Sequence, residues 1–199
     1  VTTLERFWTL LAHHQGALLN ASQIARALEM SAQTVTRYID LLVDLLLVRR
    51  LPPLGANVGK RLVRSPKVYV RDSGLVHALL GIGTPGQLLA HPVQGASWEG
   101  MVIETLLAVA PFGTQASFYR TAAGAEVDLV LTFPGGSSWA IEIKRSKAAR
   151  PGKGFHIALK DLQPERAFVV HAGDARHPVA EGVEALGIRE LAGLLRASD

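Results

Sequence analysis

The sequence predicts an α/β chain of two domains: a helical first half closed by a small hairpin, and a second half built on a mixed sheet covered by helices. Three observations carry this. Apolar residues recur at helical spacing through LERFWTLLAHHQGALL, SQIARALEM and AQTVTRYIDLLVDLLLV. A Gly- and Pro-rich stretch, TPGQLLAHPVQG, then interrupts the pattern. Beyond it a helix, three strands, a helix and a strand follow one another, the order of a mixed sheet with helices on its faces. With 199 residues there is enough chain for two small cores. The expected division is a first domain over 1–81, a linker over 82–94 and a second domain over 95–199.

The composition, 48% hydrophobic and 19% charged, is that of a folded globular chain. There is no cysteine, which excludes disulfides and thiolate metal sites and fits a reducing compartment. No signal peptide or membrane-length apolar run is visible, so the expectation is a soluble, cytoplasmic protein with no membrane partner. The chain begins at Val1 and turns helical within a few residues, as a fragment of a longer protein would. Net charge is only +4, but the cations are clustered. Arg49, Arg50, Lys60, Arg61, Arg64, Lys67 and Arg71 occur with no acid among them, and Lys144, Arg145, Lys147, Arg150 and Lys153 form a second group. Such clusters reward a polyanionic partner, although either alone also serves as a solvated surface.

In the first helix Leu4, Phe7, Trp8, Leu11 and Leu18 recur on one side, and Gly16 interrupts it. Asn20 and Ser22 are caps for a short second helix with the stripe Ile24, Ala25 and Leu28. Ser31 caps a third, with Val35, Tyr38, Ile39, Leu42 and Leu46 expected inside. A short helix, a tight turn and a longer helix read as a helix-turn-helix. VRRLPPL and RLVRSPKVYV, joined by GANVGK, read as the strands and tip of a wing. A winged helix would present Gln33, Thr34 and Arg37 to a major groove, with Lys60, Arg61 and Arg64 on the wing. Asp40 and Asp44 on much the same side would repel phosphate, which leaves docking on protein as the alternative to DNA contact for this helix. KVYVRDSGLVHALLGIG closes the wing strand and opens a helix at Asp72 or Ser73 that ends at Gly81.

In the second half GASWEGMVIETLLAVA reads as a helix, SFYR, EVDLVLTF and SSWAIEIKR as strands, GFHIALKDL as a helix, RAFVVHAG as a strand and IRELAGLLRA as a last helix. Alternate side chains on a strand share a face. Asp128 therefore points away from Val127 and Leu129, while Glu142 and Lys144 share a face opposite Ile141 and Ile143. Pairing through PGGSS would bring both acids to one site. Two adjacent carboxylates repel unless a cation joins them, and oxygen donors suit Mg²⁺ or Mn²⁺. On the preceding helix Glu99 falls inside the apolar arc and Glu104 outside it. A buried carboxylate needs a partner, which nominates Glu99 as a further site residue. The catalytic candidates are thus Glu99, Asp128, Glu142 and Lys144. The metal would be held by Asp128, Glu142, the carbonyl of Ile143, and Glu99 directly or through water. Lys144 would orient or deprotonate a water, and Arg145 and Lys147 would meet nucleic acid. Glu-x-Lys alone is common in ordinary strands, and in that bland reading Glu142 and Lys144 are an exposed pair and Asp128 a turn acid.

The succession LNASQIARALEMSAQTVTRYIDLL, KVYVRDSGLVHALLG, GASWEGMVIETLL, EVDLVL and AIEIKRS resembles the C-terminal portion of a group of prokaryotic AAA-type ATPases of poorly defined role. The resemblance runs from about residue 20 to the end. It implies a P-loop ATPase domain ahead of a winged helix, and a last domain similar to the PD-(D/E)XK nucleases. No G-x-x-x-x-G-K-[ST] occurs here, so the ATPase domain would be a partner elsewhere in the longer protein. The motif's acid and E-x-K correspond to Asp128 and to Glu142, Ile143 and Lys144, with Val127 where the motif's name has proline. The first function expected is a divalent-metal-dependent nuclease delivered to DNA by the winged helix. The second is a non-catalytic DNA-binding or regulatory module of the ATPase, and the third is protein docking alone. An oligomer is compatible with all three.

Overall fold

The computed structural model describes residues 2–55, 60–147 and 149–198. The chain is mixed α/β and divides into two compact units, Val1–Leu51 with Ser65–Met101, and Pro52–Arg64 with Val102–Asp199.

The first unit opens with α1 (Thr2–His13), α2 (Ala21–Leu28) and α3 (Ala32–Asp44). The side chains of Asn20 and Ser31 accept from the backbone N–H of Gln23 and Thr34 and so cap their helices, while Ser22, also expected to cap, lies inside α2. Ile24, Ala25 and Leu28 are all buried, as are Val35, Ile39 and Leu42, and Phe7 meets Tyr38 edge-on at 5.6 Å. Leu46 was expected inside, yet it is 69% exposed. The helix stops at Asp44, and the chain turns through Leu46 at φ 58°, with the N–H of Leu47 returning to the carbonyl of Leu42. That is a glycine-type C-terminal turn occupied by leucine.

β1 (Val48–Leu51) and β2 (Lys67–Val70) follow as a two-stranded antiparallel sheet, shorter than the strands read from the sequence. Gln15, just past α1, holds β2 through both ends of its amide, accepting from the N–H of Val70 and donating to its carbonyl. Asp72 caps α4 (Ser73–Leu79). The stretch expected to be a linker is folded: Thr84 and Gln87 form a capping box on α5 (Pro85–Ala90). Ile82, Leu88 and Val93 pack on the first core. The two compact units divide inside α6 (Gln94–Leu107), after Met101.

The second unit is a six-stranded sheet of β3 (Gln115–Arg120), β4 (Glu126–Thr132), β5 (Ser138–Ile143), β6 (Arg166–His171), β7 (His177–Ala180) and β8 (Val183–Gly187). The spatial order is β3-β4-β5-β6-β8-β7. β5, β6 and β8 run parallel and the other pairs antiparallel. α7 (Lys153–Leu162) joins β5 to β6 and packs on β4, and α8 (Ile188–Arg196) lies against β6 and β8. One face of the sheet carries Val127, Val130, Ala140 and Val169 against Phe155 and Ala158 of α7. β7 and β8 were not read from the sequence: each is short, and Pro178 in β7 is the residue that normally argues against a strand. Here Pro178 sits on the edge strand, where no ladder donor is missed.

The segment 52–64, expected to be wing, lies instead along the other edge of this sheet. Phe118 of β3 donates to the carbonyl of Pro52 and accepts from the N–H of Leu54, while the N–H of Val63 reaches the carbonyl of Arg120. The polar edge of β3 is thereby paired rather than left open. Of the tip GANVGK, residues 56–59 lie outside the described residues. Lys60 then reaches Asp161 of α7 with both carboxylate oxygens, at 2.6 and 2.8 Å, and Tyr119 of β3 donates to the same carboxylate at 2.9 Å. Burial, with the hydrogen bond and the charge of Asp161, pushes the Tyr119 phenol up to about 12, and Lys60 holds Asp161 below the usual carboxylate range.

Two outcomes follow from this fold. Leu46→Gly relieves a left-handed leucine at the expense of a freer unfolded chain, so the urea midpoint rises by the equivalent of about 0.5–1 kcal/mol. No rise would mean that the turn carries no strain. Because the folded pKa of Tyr119 exceeds the unfolded value of 10.0, its contribution is complete below pH 10 and lost as pH rises toward 12. Denaturation measured across that window should show an alkaline loss of about 2–3 kcal/mol in the parent that Tyr119→Phe lacks.

Candidate functional site

β4 and β5 form a hairpin, with the N–H of Phe133 to the carbonyl of Ser137 and a turn through Gly136 at φ 85°. Leu129 faces Ile141 across it, which sets Asp128 one step from Glu142 on the face that α7 covers. β4 carries an irregularity at this point. Between the pairs Ser117↔Val130 and Tyr119↔Val127, β3 advances two residues and β4 three. The extra residue is a bulge at Asp128 and Leu129, and bulges re-aim the side chain they carry. The N–H of Ile143 meets no β4 carbonyl there and donates to Asp128 Oδ2 at 2.8 Å.

Glu142 is the deeply placed acid, 6% exposed. Burying a carboxylate costs several kcal/mol unless charge or hydrogen bonds compensate. Two partners do so. Lys144 Nζ lies 2.8 Å from Oε1, and the N–H of Gly152 donates to Oε2 at 3.0 Å and to Oε1 at 3.2 Å. Gly152 is the N-cap of α7, and its own residue type offers no capping side chain. The Glu142 carboxylate fills that role at the positive end of the helix. Gly152 was missed in the sequence; its signal is a helix start, PGKGF, with no Ser, Thr, Asp or Asn beside it. Gly154 brings α7 in closely, since a Cβ there would sit 2.5 Å from the carbonyl oxygen of Gly124.

Partial burial pulls the Lys144 ammonium down. The Glu142 hydrogen bond and the charges of Glu142, Asp128 and Glu126 outweigh that, and its pKa stands above the ordinary lysine value. At neutral pH Lys144 is therefore a cation and orients rather than abstracts.

The structure brings together Asp128, Glu142, Ile143 and Lys144 in the second unit. Glu99 belongs to the first, where its Oε1 accepts from Lys67 Nζ at 3.0 Å and from the Tyr69 hydroxyl at 2.5 Å. The partner that an inward carboxylate requires is thus supplied by β2. Glu104, read as solvated, is half-buried. Among the described residues no group of three or more His, Cys, Asp or Glu could share an ion. The donors on offer are two carboxylates and the Ile143 carbonyl, all hard oxygens, with an ammonium already drawn to one of them. This set fits Mg²⁺ or Mn²⁺, which keep several waters.

The two basic clusters differ in state. In the first, Arg50 pairs with Asp40 at 2.6 Å, Lys60 with Asp161, and Lys67 with Glu99. Arg61 and Arg64 remain exposed. In the second, Arg145, Lys147, Arg150 and Lys153 are all exposed, and none makes an ion pair among the described residues. On α3, Gln33 and Arg37 are exposed, while Thr34 is half-buried and takes the Ser31 cap. Farther along the same helix and its turn, Leu41, Leu45, Leu46 and Leu47 are 54, 56, 69 and 39% exposed. No helix among the described residues is long and apolar enough to cross a membrane.

Among relatives, "Uncharacterized protein Rv2008c" of Mycobacterium tuberculosis and "Uncharacterized protein Mb2031c" of Mycobacterium bovis are each 43% identical over 185 residues, 92% of this chain and 41% of theirs. The chain therefore spans about two fifths of the length of the curated relatives it matches. Among solved structures, protein VC1899 from Vibrio cholerae is 14% identical, with a TM-score of 0.34 over 99% of this chain and 51% of that one. Two family models match side by side: the model of a domain of unknown function (DUF8612) matches residues 1–86, and that of a second domain of unknown function (DUF4143) matches residues 94–191.

Proposed function

We propose that the second unit is a divalent-metal-dependent nuclease domain that hydrolyses phosphodiester bonds. The observation that carries this is the convergence of a bulged Asp128, a buried Glu142 and a cationic Lys144 on one face of one hairpin. The element order around it supports the PD-(D/E)XK-like reading, as three helices and a two-stranded sheet support a winged helix in the first unit. When bound, Mg²⁺ or Mn²⁺ would act as a Lewis acid on the phosphate. Asp128, Glu142 and the Ile143 carbonyl would hold it. Lys144 would orient the attacking water and steady the charge that grows on the phosphoryl oxygens. Arg145 and Lys147, with Arg150 and Lys153, would track the nucleic-acid backbone. In the longer protein this would work beside an ATPase domain, with DNA as substrate.

A second reading is favoured by the exposed leucines at the end of α3. Apolar surface there gains nothing from phosphate, and it suits a regulatory module that docks on the ATPase domain without cutting.

Titration of Mn²⁺ into this chain by calorimetry is expected to show binding in the parent and none in Asp128→Ala or Glu142→Ala, with folding checked by circular dichroism. Cleavage of DNA or RNA should be lost in the same two variants. No binding and no cleavage in the parent would leave the docking module. The salt dependence of nucleic-acid binding separates the basic clusters: Arg145→Ala with Lys147→Ala should flatten the log–log slope by about 1.4–1.8. Lys60→Ala, whose ammonium is already committed to Asp161, should leave that slope nearly unchanged. The opposite ranking would place the nucleic acid on the segment 52–64.

A further inference from the structure

Glu142 Oε1 is the most heavily solicited atom of the site. It takes the Lys144 ammonium at 2.8 Å and a longer share of the Gly152 N–H at 3.2 Å, while Oε2 takes the better Gly152 contact at 3.0 Å. The two partners are unequal in mobility. Gly152 is main chain at the start of α7, fixed by the close approach of Gly154 to Gly124. Lys144 is the last of the Glu-x-Lys residues, beyond the end of β5, on a flexible stem with a side chain 43% exposed. One contact anchors the carboxylate, and the other can leave it.

We infer that the Lys144 ammonium and a divalent ion are alternative occupants of one cation position on Glu142, so that Lys144 holds the site together until the ion displaces it. This rests on the nuclease reading above. Three features meet the requirements of such an exchange. Glu142 is too buried to stand uncompensated, so something cationic must be present before the ion arrives. The Gly152 N–H keeps Oε2 in place during the exchange, so Glu142 does not turn away when Lys144 departs. The departing ammonium has solvent to move into, since the Lys144 side chain is 43% exposed.

The consequence is that Lys144 weakens metal binding even as it serves the chemistry, a split that a purely structural lysine would not produce. The test is Mn²⁺ affinity, read by calorimetry or by the loss of the free-ion electron-spin signal, in the parent, Lys144→Met, Lys144→Arg and Glu142→Gln. Lys144→Met keeps the stem and removes the charge, and it should bind Mn²⁺ about fivefold tighter or more, the equivalent of removing one competing ion pair. Lys144→Arg should stay near the parent, and Glu142→Gln should lose binding. Circular dichroism confirms that each variant is folded. If Lys144→Met binds no tighter than the parent while Glu142→Gln loses the ion, the exchange is wrong and the nuclease reading stands. If neither the parent nor either lysine variant binds Mn²⁺, the nuclease reading itself fails, and the exchange with it.

Discussion

A carboxylate at 6% exposure in the middle of a sheet governs the second unit. Left alone, Glu142 would cost several kcal/mol as a buried ion. Each structural detail nearby answers that charge. The N-terminus of α7 is aimed at it, and because the N-cap Gly152 has no capping side chain of its own, the Glu142 carboxylate takes the Gly152 N–H. Two glycines at 152 and 154 let the helix come near enough, one against the carboxylate and one against the turn at Gly124. The bulge in β4 lies beside the N–H of Ile143, which donates to a second acid, Asp128. An arrangement that stabilises two ionised carboxylates side by side is one that stability alone would replace with Val or Leu.

The same reasoning separates the two groups of cations, which look alike as a string of letters. Arg50, Lys60 and Lys67 are each consumed by an acid of their own unit, and their business is holding β1, the segment 52–64 and α6 in place. Clustered in sequence, they are neutralised in space. Arg145, Lys147, Arg150 and Lys153 lie between β5 and the first turn of α7, directly after the acids, and are exposed, with no ion pair among the described residues. A field that is not cancelled locally reaches a polyanion, whereas a paired surface charge contributes little beyond its pair.

What the sequence made legible and what it hid divide along the reach of local rules. Strand alternation sufficed to place Glu142 and Lys144 on one face and Asp128 beside them, because the hairpin through 133–137 is short and its turn residues are explicit. The caps at Asn20, Ser31 and Asp72 were equally local. Glu99 shows the limit. Its inward position could be read from the helix, but the partners that meet it, Lys67 and Tyr69, lie more than two dozen residues away on β2. No periodicity announces a contact at that separation. Pro53 and Leu62, expected in the wing, form isolated bridges to Phe118 and Thr121 instead. Leu46 kept a helical rhythm past the helix end, since apolar spacing cannot tell a continuing helix from a turn that happens to carry leucines.

Charge balance at the site argues for what it would receive. With Glu126 paired to Arg120 at 3.7 Å, Asp128 and Glu142 against one Lys144 leave a single net negative charge, enough to draw a divalent ion without making the empty site untenable. With that ion held, the balance reverses to a single net positive charge, and a phosphodiester carries one negative charge to meet it. A third carboxylate in the cluster would cancel that attraction and hold the ion against an empty, repelling pocket. Glu99, engaged by Lys67 and Tyr69, spends its charge in the first unit. The exposed Arg145 and Lys147 then add positive field on the approach, so a two-carboxylate site with a mobile lysine suits a polyanionic substrate better than a fuller acidic cage would.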